Sequence, residues 1–152
     1  MAPREPAEGG EMRRGDPVDG LRLGIASSGS AVLLRLENVG DAPLEVLSHV
    51  SAREDHLDWH ALRLEGLDGA VRTLRFRDVR DKAGIARARL APGGTLDHRV
   101  DPAAWALRGI NGGVPLAPGR HRATALYDTA GTSSGDHWRG RLSAGPVDVD
   151  IR

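Results

Sequence analysis

The chain of 152 residues contains no cysteine, which excludes a disulfide framework, a thiolate zinc site and a thiol nucleophile. It also lacks any apolar run near the roughly 18 residues that span a bilayer, so the sequence predicts no contact with a membrane. Charge of one sign is not in excess either. Because 21 basic residues balance 21 acidic ones, the composition argues against a generally cationic nucleic-acid-binding protein.

The first residues mix proline, glycine and charged residues and contain no apolar stretch of the kind found in a secretory signal. Such a segment cannot bury enough surface to offset its ordering entropy. We therefore expect residues 1–17 to form a flexible N-terminal arm and residues 18–152 to form a single domain. The missing leader and the missing cysteine predict a cytoplasmic protein, and the arginine-, alanine- and glycine-rich composition predicts a bacterial source.

Apolar and polar residues alternate along the rest of the chain, as in strands with one buried face. In Ala31–Asn38, for example, Val32, Leu34 and Leu36 fall on one face. Similar runs lie at residues 62–65, 95–100, 122–127 and 147–151, and Pro- and Gly-rich turns separate them. Asp101 and Pro102 have the residue types of a helix N-cap and first position, so one short helix is expected through Arg108. The sequence predicts an all-β fold: a single immunoglobulin-like antiparallel β-sandwich of about seven or eight strands with one short helix.

Several segments in combination resemble a known class of module. They are Leu34–Asp41 with Pro43–Leu47, Leu90–Leu96 leading to Val100–Pro102, and Leu116–Tyr127 followed by Trp138–Ser143 and Pro146–Asp150. Together they resemble immunoglobulin-like sandwich modules of bacterial proteins. They are also similar to the non-catalytic N-terminal β-domain of deuterolysin-type (peptidyl-lysine) metalloendopeptidases. The resemblance runs from about Leu21 to Ile151 and implies the sandwich fold.

Two features depart from that family. The strand after the Pro-Gly turn often carries an aromatic residue that hydrogen-bonds across the corner, and His121 stands there in this chain. A peptidase of this type also needs His-Glu-x-x-His on a helix, with the glutamate as base. The nearest string runs from His56 to His60 and has Leu57 where the glutamate would stand, so the resemblance does not imply peptidase activity.

The segment from His56 to His60 is the sharpest candidate for chemistry. On a regular strand, residues two apart share a face, so His56, Asp58 and His60 would line up at steps of about 6.6 Å. Imidazole and carboxylate groups are suitable ligands for Zn²⁺ or Cu²⁺. Asp136 or His137 is a further candidate ligand. The competing interpretation is a polar edge or loop segment from which Trp59 packs inward.

Asp136 and His137 also invite a hydrolase interpretation with Ser133 or Ser134. No Gly-x-Ser-x-Gly elbow is present, and adjacent side chains point in different directions. A hairpin loop anchored by Trp138 is the favoured interpretation.

Two further features suggest a binding surface. Residues 72–89 include seven basic and two acidic residues, and Arg75 and Arg77 could present a ladder of cations. Trp105, on the predicted short helix, is a candidate surface aromatic. The competing interpretations are a solvated sheet face for the arginines and core packing for Trp105.

No coherent catalytic set emerges, so the sequence favours a non-enzymatic protein without a cofactor. The leading hypothesis is a non-catalytic interaction module that binds a protein partner or self-associates. Two alternatives stay open: a divalent-metal-binding protein or metalloenzyme that uses His56, Asp58 and His60, and an intracellular proteinase inhibitor that presents the loop at Thr129–Gly135.

Overall fold

The computed structural model describes residues 10–50, 57–76, 85–132 and 135–152, except for the side chains of residues 49, 50 and 85. The described residues form an all-β, sandwich-like fold with three antiparallel sheets and one short α-helix. The elements are β1 (Arg13–Arg14), β2 (Leu21–Ser28), β3 (Ala31–Asn38), β4 (Leu44–Val50), β5 (Leu57–Gly66), β6 (Val71–Phe76), β7 (Ile85–Leu90), β8 (Thr95–Val100), α1 (Pro102–Ala106), β9 (Gly119–Asp128) and β10 (Arg141–Ile151). Within these ranges, no helix is long and apolar enough to cross a bilayer.

The strands form two four-stranded sheets and a separate two-stranded sheet. The first sheet has the order β1-β2-β3-β8 and the second has the order β10-β9-β5-β6, while β4 pairs with β7. Every pairing is antiparallel. This arrangement confirms the predicted all-β class. The described residues form ten strands, more than the seven or eight expected, partly because β1 lies in the predicted arm.

Alternate residues of both four-stranded sheets supply one shared apolar core. In β3, Val32, Leu34 and Leu36 are fully buried, whereas Arg35 and Glu37 lie on the outer face. The outer face is stabilised by cross-strand ion pairs such as the two hydrogen bonds from Arg35 to Asp97, at 2.8 and 2.9 Å. The alternation read in the sequence therefore describes the core, because period two places every second side chain on the same face of a strand.

The short helix begins where its capping residues predict. The side chain of Asp101 accepts hydrogen bonds from the backbone amides of Ala103 and Ala104, at 3.1 and 3.5 Å. Pro102 occupies the first turn, where its missing amide hydrogen costs nothing. The helix ends at Ala106, two residues before the predicted end at Arg108.

The described part of the predicted N-terminal arm contacts the first sheet. Arg13 and Arg14 pair with Ile25 and Gly24 of β2, and the amide of Gly15 donates to the carbonyl of Leu23 at 2.9 Å. This segment lacks the apolar residues from which a strand can be predicted. It still extends the sheet, because strand pairing uses backbone hydrogen bonds and needs no apolar side chains. Residues 1–9 lie outside the described residues.

Two buried polar side chains connect loops to strands. The amide nitrogen of Asn38, which is fully buried, donates to the carbonyls of Ala42 and Leu90 at 2.8 and 2.9 Å, and its oxygen accepts from the amide of Gly40 at 3.0 Å. Tyr127 donates its hydroxyl hydrogen to the carbonyl of Leu47 at 2.8 Å, which attaches β4 to the second sheet. The bonds to Leu90 and Leu47 satisfy buried backbone carbonyls, and those to Gly40 and Ala42 hold the adjoining loop.

We expect Asn38→Ala to lower the free energy of unfolding by about 2–4 kcal/mol, because it removes three hydrogen bonds and takes the donor from the buried carbonyl of Leu90. Glu37→Gln is the matched control. Glu37 is the preceding residue on the outer face, where it pairs with Arg22, and the loss of that surface pair should cost less than about 1 kcal/mol. Urea denaturation of both variants measures the difference, and equal losses would contradict the role given to Asn38.

Candidate functional site

A groove of about 390 Å³ opens at one end of the sandwich. It lies between the turn that joins β5 to β6, at residues 66–70, and the segment at residues 114–118 that leads into β9. We call it the end groove. Its walls are largely apolar and include Leu64, Leu116 and Pro118, while Arg72, Arg120 and His121 bring polar groups to it. Its volume falls within the range of known ligand pockets, and its lining is mostly apolar.

The segment that forms one wall is fastened to the free edge of β6. The side chain of Asn111 accepts from the amide of Arg75 at 2.8 Å and donates to the carbonyl of Arg75 at 2.8 Å, as a neighbouring strand would. The guanidinium of Arg72 donates to the carbonyls of Asn111 and Val114, at 2.9 and 2.8 Å. These contacts cover an edge that would otherwise invite another strand, and they fix the shape of the groove.

Exposed large apolar side chains concentrate along β6 and the segments beside it. Of the seven large apolar side chains exposed in the described ranges, five belong to β5–β6 or to the segment fastened beside β6: Leu67, Val71, Leu107, Ile110 and Val114. We call these five the apolar end. Leu67 is 86% exposed and Val114 is 60% exposed. A grouping of this kind on a protein surface marks an interaction site more often than scattered apolar residues do.

The structure places His60 in the core rather than on a metal-binding strand face. Pairing of β5 with β6 shifts register between Leu57 and Ala61, so Leu57 and His60, three residues apart, are both buried. A regular strand does not allow this, and the expected two-residue spacing therefore fails here. Asp58 is half-buried, and His56 lies outside the described residues.

His60 meets two other rings inside the sandwich. Its imidazole lies 4.8 Å from the ring of Tyr127 and 5.5 Å from that of His98, which stands on β8 in the other sheet. Neither nitrogen of His60 has a hydrogen-bond partner among the described residues. Burial, followed by the nearby His98, lowers the pKa of His60 to about 3, so the ring is neutral at physiological pH.

Neutral imidazoles suit transition metals, but the described residues bring together no group of three or more histidine or carboxylate side chains that could hold an ion. The metal hypothesis for His56, Asp58 and His60 thus stays a prediction, with one of its three residues outside the described ranges.

The second predicted cluster does not form a catalytic pair in the described ranges. Asp136 is exposed, whereas His137 is buried with its Nε2 2.6 Å from Oγ1 of Thr132. The hydroxyl of Thr132 donates to the carbonyl of Thr129 at 2.7 Å, so Nε2 of His137 must donate to Thr132. A ring in that tautomer cannot take the proton of this hydroxyl. Ser133 and Ser134 lie outside the described residues.

The predicted surface residues divide into different environments. Trp105 is 4% exposed and meets Phe76 edge-on at 5.5 Å between ring centroids, with the guanidinium of Arg108 stacked 4.6 Å from its ring. It therefore packs in the core and does not present a surface. Arg75 is exposed, and its backbone is held by Asn111. Arg77 lies outside the described residues.

Sequence reasoning missed the residues that shape the end groove. Asn111 has the residue type of a helix terminator, and no pattern indicates a partner 36 residues earlier in the chain. Leu67 and Val114 are isolated apolar residues in turn-rich segments. The one signal in the sequence is the presence of a large apolar residue in each of two otherwise polar turns, which could have indicated an exposed binding residue.

No model of a known protein family matches the chain, and no curated protein matches it significantly. The resemblance to the N-terminal domain of deuterolysin-type peptidases therefore stays a prediction.

The buried neutral ring of His60 makes stability depend on pH. Its pKa of about 3 in the folded protein lies below the ordinary value of 6.5, so the unfolded chain binds the proton more readily. The contribution is complete above pH 6.5 and is lost as the pH falls towards 3. Between pH 6.5 and 4.5, His60 should account for about 2–3 kcal/mol of the lost unfolding free energy.

His60→Leu should remove that part of the pH dependence in urea denaturation. His98→Gln is the control and should keep most of it, because burial is the larger cause of the lowered pKa. The same pH dependence in the wild type and in His60→Leu would contradict this role.

Addition of Zn²⁺ or Cu²⁺ tests the metal hypothesis, since a ligand role predicts a rise in Tm that His60→Leu abolishes.

Proposed function

We propose that the chain is a non-catalytic, immunoglobulin-like binding module that holds a segment of a partner protein at the apolar end. The observation that carries the proposal is that five of the seven exposed large apolar side chains in the described ranges lie on the β5–β6 turn, on β6 or on the segment beside β6. Two of them, Leu67 and Val114, line a groove of about 390 Å³. Elsewhere in the described ranges, Val18 and Val39 are the two other large apolar side chains that are exposed. Water contact with these groups is unfavourable, and a partner would relieve it.

The rigidity of the groove supports the same function. Arg72 and Asn111 attach its outer wall to β6 through hydrogen bonds of 2.8 to 2.9 Å, apart from a weaker contact to Pro115. A wall that is already ordered loses little conformational freedom when a partner binds. Binding through a fixed groove at the end of a sandwich needs no reactive group, which agrees with the dispersed positions of the candidate catalytic residues.

The loop at Thr129–Gly135, which motivates the proteinase-inhibitor alternative, offers less support. Arg139 donates to the carbonyls of Thr132 and Gly135, at 2.9 and 2.6 Å, and Thr132 donates to Thr129. These bonds draw the described part of the loop back onto itself. An inhibitory loop must instead extend into the cleft of a protease.

Selection from a phage-displayed library of random peptides tests the proposal, with the whole chain as bait. Peptides rich in apolar residues should be enriched, and Leu67→Asp or Val114→Asp should weaken their binding by about tenfold or more. A charge in the groove would have to be desolvated on binding.

Val39→Asp is the matched control and should leave peptide affinity unchanged. Val39 is another exposed valine whose amide donates to the carbonyl of Gly20. It lies near Val18, whose carbonyl accepts from the indole of Trp138. Trp138 comes just before β10, at the end of β9 that carries Asp128. The end groove lies at the other end of β9, near Gly119, so Val39 is far from the groove. No enrichment, or equal loss in Val39→Asp, would overturn the proposal. So would a dimer in light scattering that Leu67→Asp dissociates.

A further inference from the structure

The floor of the end groove carries an imidazole in a defined tautomer. His121 lines the groove and is 7% exposed. Its Nδ1 lies 3.1 Å from the carbonyl oxygen of Gly119, and because a carbonyl can only accept, Nδ1 carries a hydrogen. In the neutral ring, Nε2 therefore carries the lone pair. No described residue donates a hydrogen bond to Nε2, so this mostly buried side chain has an unused acceptor.

The carboxylate of Asp68 is a second acceptor on this floor. Asp68 lies in the turn between β5 and β6 and lines the groove. A Cβ atom on Gly66, which pairs with His121 across β5 and β9, would lie 3.7 Å from Nε2 of His121 and 2.9 Å from Oδ1 of Asp68. The two acceptors thus flank one point beside Gly66, and their separation is at most the sum of these distances. One nitrogen can donate to two acceptors that lie about 5 Å apart.

The charge left at the floor is negative. Arg120 points to the opposite face of β9 from His121, where its guanidinium lies 4.0 and 3.9 Å from two aspartates of β10. Arg72 donates to backbone carbonyls of the outer wall at 2.8 and 2.9 Å, so its positive charge is held at that wall. Asp68 forms no ion pair with a described residue. A cation with N–H donors therefore complements the floor, because both groups there accept hydrogen bonds and one is an anion.

The walls beside these acceptors are apolar, with Leu64, Leu116 and Pro118 in the lining. An occupant must therefore combine an apolar stem with a cationic donor at its end. Lysine has this form, since its methylene stem can lie along an apolar surface and it ends in a compact ammonium with three donors. Arginine fits less well. Its fork binds a carboxylate through both oxygens, and Oδ1 of Asp68 already accepts from the amide of Ala70 at 3.0 Å.

We infer that the end groove takes a lysine side chain of the partner segment: its methylenes lie along the apolar wall, and its ammonium donates to Nε2 of His121 and to the carboxylate of Asp68. This inference rests on the proposed function and adds the chemistry of the partner. The expected ligand is an apolar segment that carries a lysine.

The test compares an enriched lysine-containing peptide with three altered forms, by calorimetry on the whole chain. The altered forms carry norleucine in place of each lysine, arginine in place of each lysine, or an acetylated N-terminus. Norleucine keeps the stem without the ammonium and should bind about fivefold to twentyfold more weakly. The arginine form should also bind more weakly than the lysine form. Acetylation should leave affinity unchanged, and added salt should weaken the lysine peptide.

Asp68→Asn removes the charge and keeps the turn, because an amide oxygen can still accept from Ala70. It should weaken the lysine peptide about as much as norleucine does and leave the norleucine peptide unchanged. Glu65→Gln is the matched control. Glu65 lies on β5 opposite Arg122, on the outer face and outside the groove lining. It removes the same charge from the same region, and both affinities should stay unchanged.

His121→Leu removes the other acceptor and should weaken the lysine peptide more than the norleucine peptide. Tm measurements establish that each variant is folded. The peptide forms and Asp68→Asn decide the inference even if His121→Leu does not fold.

Enriched peptides without lysine would overturn this inference. Equal binding of the lysine and norleucine forms, equal binding of the lysine and arginine forms, loss of affinity on acetylation, or equal effects of Asp68→Asn and Glu65→Gln would do the same. If enriched peptides without lysine lose affinity in Leu67→Asp or Val114→Asp, the proposed function stands and only the recognition chemistry fails. If no peptide is enriched, the proposed function itself fails.

Discussion

Burial of alternate side chains in one shared core constrains everything else in this molecule. In β3 and β9 every second residue belongs to that core, and the residues between them are less buried. The inner faces are consequently occupied by packing, and His60 and Trp105 belong to that packing. The outer faces carry cross-strand ion pairs such as Arg35 with Asp97. Loops at the ends of the sandwich remain for recognition, as in many modules of this architecture.

Most buried polar side chains discussed above have hydrogen-bond partners. Asn38 makes three hydrogen bonds to loop backbone, and Tyr127 reaches the carbonyl of Leu47, so these buried groups are satisfied. His60 departs from this rule, because both of its nitrogens are without a described partner and its pKa falls to about 3. The resulting loss of stability in acid is a property of packing and does not need a functional explanation.

Local signals in the sequence predict much of the fold. Period-two alternation locates β3 with its bounds and its buried face, and Asp101 followed by Pro102 locates the start of the helix, because both depend on neighbours within a few residues. The site depends on distant partners. The register shift in β5 moves His60 inward, and Asn111 fastens a loop to Arg75, through contacts that no local pattern encodes. The end groove exists because two distant segments meet, residues 64–72 and 114–121, so the sequence alone could not indicate it.

The central claim is that recognition takes place at the end of the sandwich rather than on its faces. Mapping of backbone amide chemical shifts, with the whole chain titrated by an enriched peptide, tests this claim most directly. The account predicts that the largest changes fall at residues 66–72 and 107–121, with little change along the outer faces around Arg35 and Arg63. Changes centred on those faces, or on the opposite end around Val18 and Val39, would contradict it.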